Sequence, residues 1–174
     1  MARLEIITAP DPRLKIKAKP VAKVDAGLRR LMDDMLDTMY GSIGIGLAAP
    51  QVGVAQRVIV VDVAREGENP NPIRLANPEI LWRSDEMMVA NEGCLSLPEH
   101  YAEVDRPAAI RLRYVDHENE IREIDATGLL ATCLQHEVDH LDGVLFVDHL
   151  SALKRGMILR KLQKAKRSRV LEKA

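Results

Sequence analysis

Two histidines four residues apart, with a glutamate directly after the first, stand in Gln135-His136-Glu137-Val138-Asp139-His140. On a helix, side chains at i and i+4 share one face. Four residues advance about 6 Å along the axis. From there two imidazoles can converge on one ion with bonds of about 2.0–2.1 Å. Glu137, beside the pair, is suited to take a proton from a water activated by that ion. Two protein ligands are too few for a catalytic site, which normally uses three and leaves one position open.

The third ligand narrows the chemistry. One zinc-peptidase pattern continues H-E-x-x-H-x-x-G-x-x-H, but here Phe146 stands at the last position and cannot ligate a metal. A second peptidase pattern takes a downstream glutamate, and only Glu172, close to the end of the sequence, follows Phe146. Cys133 shares the histidine stripe at i, i+3 and i+7. It lies about 10 Å along the axis from His140, too far for a sulfur bond of about 2.3 Å while His136 also binds. It reads as a small buried hydrophobe or a pocket wall. Cys94, in Glu92-Gly93-Cys94-Leu95-Ser96, is the better third ligand. The expected site is Cys94, His136 and His140 with one open position. That ligand set suits zinc by softness and also accepts Fe(II), Co(II) or Ni(II).

Gly44-Ile45-Gly46-Leu47-Ala48-Ala49-Pro50-Gln51 is too small to pack as a helix and too glycine-rich for a simple strand. Its glycines permit close approach of another backbone. It lacks the Walker lysine and the G-x-G-x-x-G spacing of nucleotide loops. The three segments in this order resemble the peptide deformylase family, with G-x-G-x-A-A-x-Q at Gly44–Gln51, E-G-C-L-S at Glu92–Ser96 and Q-H-E-x-D-H-L-x-G at Gln135–Gly143. Pro10-Asp11-Pro12-Arg13-Leu14 is similar to the bacterial members.

The resemblance implies a metal-dependent hydrolase that removes the formyl group from the N-terminal formyl-methionine of nascent polypeptides. It assigns Glu137 as general base, and Gln51 with the backbone N–H of Leu95 as donors to the formyl oxygen. The backbone around Gly44, Ile45 and Gly46 pairs with the peptide. Ile45, Leu129, Cys133 and the ring of His136 form the methionine pocket, and His100-Tyr101 stands at the rim. Glu92 and Arg106 resemble a buried ion pair beneath the metal loop, the alternative being a surface pair, and Asp139 is suited either to receive a histidine N–H and fix its tautomer or simply to be solvated. The family implies Fe(II) in the cell, with Zn(II), Ni(II) or Co(II) in preparations. Lys154 to Lys173 carries nine basic residues against Glu172. It reads either as a solvated helix face or, as in bacterial members, as a surface docking on the ribosome. The rival functions are an H-E-x-x-H metallopeptidase and an inactive metal-holding, ribosome-associated module.

The elements that must position these groups read as one α+β domain over 1–174, with a basic C-terminal helix or tail at about 153–174. Mixed or antiparallel strands surround a central metal-binding helix, with further helices at either end. Asp25 is placed to cap a helix whose Leu28, Leu31, Met32, Met35, Leu36 and Met39 recur at helical spacing. Strands are expected at 57–63, 73–76, 80–83 and 87–90. A hairpin at 110–115 and 120–124 turns on Asp116–Asn119. Thr127-Gly128 opens the metal helix and Gly143 ends it. A last helix runs from Leu153 to about Lys166. The 174 residues suffice for one core, and 47% are hydrophobic. No apolar stretch is long enough to span a bilayer. The first residues lack a secretion signal, and two cysteines suit a reducing cytoplasm. A net charge of −1 and five scattered aromatics argue against sequence-specific nucleic-acid binding.

Overall fold

Val58-Ile59-Val60-Val61 is apolar at every position, and the computed structural model, which describes residues 2–173, gives the reason. This run is strand β2 (Val58–Val61), and successive side chains of a strand point to opposite faces. Ile59 and Val61 enter a core shared with helix α2 (Gly128–Leu141). Val58 and Val60 enter a second core shared with helix α1 (Ala26–Gly41). A strand covered on both sides has no polar face to alternate. The side chains of Glu172 and Lys173, part of the basic run, lie outside the described residues, as do Met1 and Ala174 of the expected domain.

The main sheet has the order β1 (Gly46–Ala48), β2, β3 (Ile73–Arg83), β6 (Ala109–Val115) and β7 (Ile121–Thr127). A separate ribbon pairs β4 (Met87–Cys94) with β5 (Leu97–Pro107). Among the described residues every pairing between these strands is antiparallel, and one isolated parallel bridge joins Lys19 and Gln56. The α+β class stands. Asp25 caps α1 as its spacing predicts, its Oδ1 accepting from Leu28 N at 2.8 Å.

Several elements differ from the sequence expectation. β3 is one bent strand where two were expected, with a register shift between Ala76 and Glu79. Asn77 sits there at φ 49 and exchanges two 2.9 Å hydrogen bonds with the Val21 backbone. A neighbouring segment thus satisfies what the sheet does not. Gly46–Ala48 is a short edge strand followed by a 3-10 turn at Ala49–Val52, not a pure loop. β5 carries charged residues along its outer face and has little β-branched character, so it gave no strand signal. The last helix, α3 (Ala152–Lys173), extends well beyond Lys166.

Nearly every α2 position from Ala131 to Leu141 is buried, Asp139 excepted. Leu134, Val138 and Leu141 pack on the main sheet, while His136 and Asp139 meet the β4–β5 ribbon. The helix ends before Gly143, which holds φ 75, and a side chain there would strike the Lys15 carbonyl. A third core joins Leu14, Leu97 and Val104 to Leu145, Phe146 and Val147 around the 3-10 turn Phe146–His149, and to Leu162 of α3. The C-terminal helix is thereby tied to the turn beneath the candidate site.

Candidate metal centre and cleft

β4 ends at Cys94, where the ribbon's register shifts and Cys94 pairs with Leu97 across a tight turn. That turn carries the sulfur to the histidine face of α2. The Cys94 Sγ, His136 and His140 ligand atoms all lie within 4.8 Å of one another. Cys94 Sγ is 3.4 Å from His140 Nε2, and the two Nε2 atoms are 3.3 Å apart. Tetrahedral donors bonded at about 2.0–2.3 Å stand roughly 3.3–3.6 Å apart. Both of these spacings fit donors to one metal ion. Cys133 Sγ points instead to the Ile45 carbonyl at 3.6 Å, and burial pushes its thiol well up. An un-ionised thiol is a poor ligand.

The His136 ring is held from behind, whereas the buried His140 Nδ1 has no hydrogen-bond partner among the described residues. His136 Nδ1 lies 2.9 Å from Glu92 Oε1, which turns Nε2 toward the sulfur. Arg106 clasps Glu92 through Nε at 2.6 Å and Nη2 at 2.9 Å, with both side chains about 95% buried. Burial alone would raise the Glu92 carboxyl, but hydrogen bonds from His136 and Arg106 outweigh it and hold the group below its usual range. Asp139 departs from the expectation. It touches neither candidate ligand ring and instead accepts from Arg106 Nη1 at 2.9 Å and from His149 Nε2 at 2.8 Å. The carboxylate that fixes His136 is Glu92, because Asp139 faces the ribbon rather than the ion side of the helix.

A cavity of about 450 Å³ opens beside these donors. Of the expected site residues, Gly44, Ile45, Gly46, Gln51, Glu92, Cys94, Leu95, Leu129, Cys133, His136 and Glu137 line it. His100 and Tyr101 line it too, while His140, Arg106 and Asp139 lie behind the wall. Gln51 is fixed at both ends of its amide. Its Oε1 accepts from Ala48 N at 2.9 Å, and its Nε2 donates to Ser96 Oγ at 3.0 Å, 3.5 Å from Cys94 Sγ.

Burial pushes the Glu137 carboxyl up to about 7, with Glu92 and Asp139 adding to the rise against His136 and Arg106. A cation at the Cys94–histidine focus would favour its ionised form. Glu137 Oε1 and Thr132 Oγ1 are buried without a hydrogen-bond partner among the described residues. Groups of that kind are costly unless something polar meets them. For His136, burial alone would lower the ring; the Cys94 sulfur, Glu137 and Glu92 outweigh it. His140 is pushed well down by burial and by the charge on His136. A metal bound there would displace protons from the two rings.

Sequence reasoning gave no role to Ser96, Thr132, His149 or the N-terminal segment. Ser96 was at least inside the quoted motif. The N-terminal segment meets the site through its backbone, Ile7 N donating to Gln51 O at 2.7 Å and Ala9 N to Ser96 O at 2.8 Å, while Ile7, Ala9 and Leu14 are buried in the third core.

With this geometry in place, comparison with known proteins is specific. The family model described as polypeptide deformylase matches residues 3–156. A peptide deformylase of Phenylobacterium zucineum is 58% identical over 164 residues, covering 94% of this chain and 97% of its own. The crystal structure of peptide deformylase from Ehrlichia chaffeensis superposes with a TM-score of 0.92 at 40% identity, covering 97% of this chain and 99% of that one. The same organism's enzyme in complex with actinonin gives 0.92 at 42% identity, with 96% and 99% covered.

Proposed function

The chain belongs to the polypeptide deformylase family, and from that premise we propose how its own residues carry the reaction. The activity is metal-dependent hydrolysis of the formyl amide on formylated nascent polypeptides, releasing formate and a free amino terminus. We assign the metal to Cys94, His136 and His140. The observation that carries this reading is the convergence of one sulfur and two Nε2 atoms beside a cavity that Glu137 and Gln51 also line. A divalent ion there supplies Lewis-acid activation of a water and of the formyl oxygen.

The side chains do the rest. Glu137 accepts the proton of the attacking water and later returns it to the departing amine. Gln51 Nε2 and the Leu95 N–H donate to the formyl oxygen as charge builds on it. The edge strand at Gly46, with Gly44 and Ile45 before it, takes the peptide backbone as an added strand. Ile45, Leu129, Cys133 and the His136 ring take the methionine side chain. Glu92, Arg106 and Asp139 hold the ligand helix in register from behind. The arrangement treats 1–174 as one catalytic domain organised around α2. A metallopeptidase is not favoured because the third donor is the Cys94 sulfur, and an inactive metal-holding module is not favoured because both Glu137 and Gln51 line the cavity.

The test is formate release from a formyl-Met peptide by wild type and Glu137→Ala, with bound metal quantified in each. Loss of about 10²–10⁴ in kcat with metal retained supports the assignment. Equal activity defeats the general-base role.

We further read Fe(II) as the cellular metal, with zinc, nickel or cobalt as replacements. Enzyme reconstituted anaerobically with Fe(II) is expected to outpace the zinc form. The cytoplasm is the proposed compartment; a reducing environment suits a thiolate ligand. Among the described residues no helix is long and apolar enough to cross a membrane. Docking of α3 on the ribosome is supported by its exposed Lys154, Arg155, Arg160, Lys161, Lys164, Arg167 and Arg169. Reversing Lys161, Lys164 and Arg167 to Glu should abolish salt-sensitive ribosome binding. Unchanged binding removes the docking reading.

A further inference from the structure

We propose that His149 is a positioning residue for the metal site, acting on His136 through Asp139, Arg106 and Glu92. The proposal rests on the metal reading of Cys94, His136 and His140. The chain of contacts is unbroken. His149 Nε2 is 2.8 Å from Asp139 Oδ2, and the same oxygen accepts from Arg106 Nη1 at 2.9 Å. Arg106 holds both Glu92 oxygens, and Glu92 Oε1 meets His136 Nδ1 at 2.9 Å. An ionised carboxylate only accepts, so His149 carries its hydrogen on Nε2.

The rigidity of the links transmits position. The Arg106 guanidinium is a planar fork. Pinning Nη1 on Asp139 therefore sets the plane in which Nε and Nη2 reach Glu92, and Glu92 sets the His136 ring. Asp139 is partly exposed, with a quarter of its side chain accessible. Without His149 it keeps one protein donor and is free to turn toward water.

A second observation points the same way. His149 closes the 3-10 turn Phe146–His149, and Phe146 at its start stacks on the His136 ring, with centroids 6.2 Å apart and planes 23° from parallel. Asp148 pins the turn by accepting from Leu145 N at 2.9 Å. One four-residue turn thus presses on a ligand ring at one end and anchors that ring's hydrogen-bond chain at the other. His149 does not line the cavity, so its part is positioning rather than contact with substrate.

The experiment compares wild type, His149→Ala and His149→Gln. Glutamine places an amide N–H where Nε2 stands. Zn(II) affinity is read by competition with a chromophoric chelator, and geometry by the visible spectrum of the Co(II) form. Direct outer-shell partners tune metal affinity by about 10–100-fold, so His149, three residues removed from the ring, should give a smaller effect of about 3–10-fold. His149→Ala is expected to bind Zn(II) that much more weakly, with a shifted Co(II) spectrum. His149→Gln should match wild type within about twofold, and the metal-free proteins should melt alike. The proposal is overturned if His149→Ala keeps wild-type affinity and spectrum. It is equally overturned if His149→Gln is as impaired as His149→Ala, since ring packing rather than the N–H would then be the cause. Cys94→Ala serves as the reference for a lost ligand. A wild type without tight Zn(II) binding overturns the metal reading and this proposal together, whereas tight binding insensitive to His149 overturns this proposal alone.

Discussion

Gly46 lies directly against Glu137. A Cβ at position 46 would strike Glu137 Oε2 and stand 2.8 Å from Cys133 Sγ. The edge strand thereby acts as a wall that fixes where the carboxylate can lie. Gly46→Ala should lower kcat on a formyl-Met peptide by about 10²-fold, approaching loss of Glu137, the proposed base. Metal content and the melting temperature should change far less. A Gly46→Ala enzyme with near-wild-type turnover would show that Glu137 has room to spare.

Gln51 offers a test with two separate readouts. Its Nε2 is the proposed donor to the formyl oxygen, while its Oε1 satisfies the buried Ala48 N–H. Gln51→Leu should reduce kcat by roughly 10²–10³. The orphaned N–H should also cost about 1–3 kcal/mol of stability, measured by urea unfolding. A catalytic loss without any stability loss would contradict the fixed amide orientation.

Arg106 and Glu92 form a buried pair whose removal from one side leaves a charge stranded. Arg106→Met is expected to destabilise the fold by about 3–5 kcal/mol. A change under about 1 kcal/mol in urea titrations would mean that the Glu92 charge finds relief elsewhere.

Tyr40 sets an alkaline limit. Its hydroxyl donates to Asp62 Oδ2 at 2.6 Å, and burial with that bond pushes its pKa up to about 12 from 10.0. The folded value lies above the unfolded one, so the stabilisation is complete below pH 10 and drains away as pH rises through 12. Phenolate absorbance should show a late step that Tyr40→Phe removes. Titration of all tyrosines near pH 10 in the folded protein would refute it.

The chemistry was more legible than the scaffold. Cys94, His136 and His140 could be chosen because bond lengths and helical rise exclude Cys133 on arithmetic alone. The α1 stripe and the β6–β7 hairpin carried ordinary periodicity and capping, and the structure has them there. What escaped detection depends on contacts distant in sequence. Asp139 sits one residue before a candidate ligand, yet its partners are Arg106 and His149, and no local pattern distinguishes that from a ligand partner. β5 holds its place through pairing with β4 and through the buried Leu97, Val104 and Arg106, which are too widely spaced to read as a strand pattern. Leu162, within the basic C-terminal run, is buried in the core with Phe146. Charge reversal is therefore a cleaner probe of α3 than truncation after Leu153, which would also open that core.

With 46 positions separating Cys94 from His140, an ion at the proposed site would take a second role. Once held, it staples the ribbon to the helix and closes that span as a cross-link does. Chelation should therefore loosen the molecule as well as silence it. At free metal about 1,000 times its dissociation constant, linkage adds roughly 4 kcal/mol to unfolding. Melting curves with and without a chelator would read that increment directly, and the hairpin at Asp116–Asn119, midway along the span, is where a nick would be tolerated only in the loaded protein.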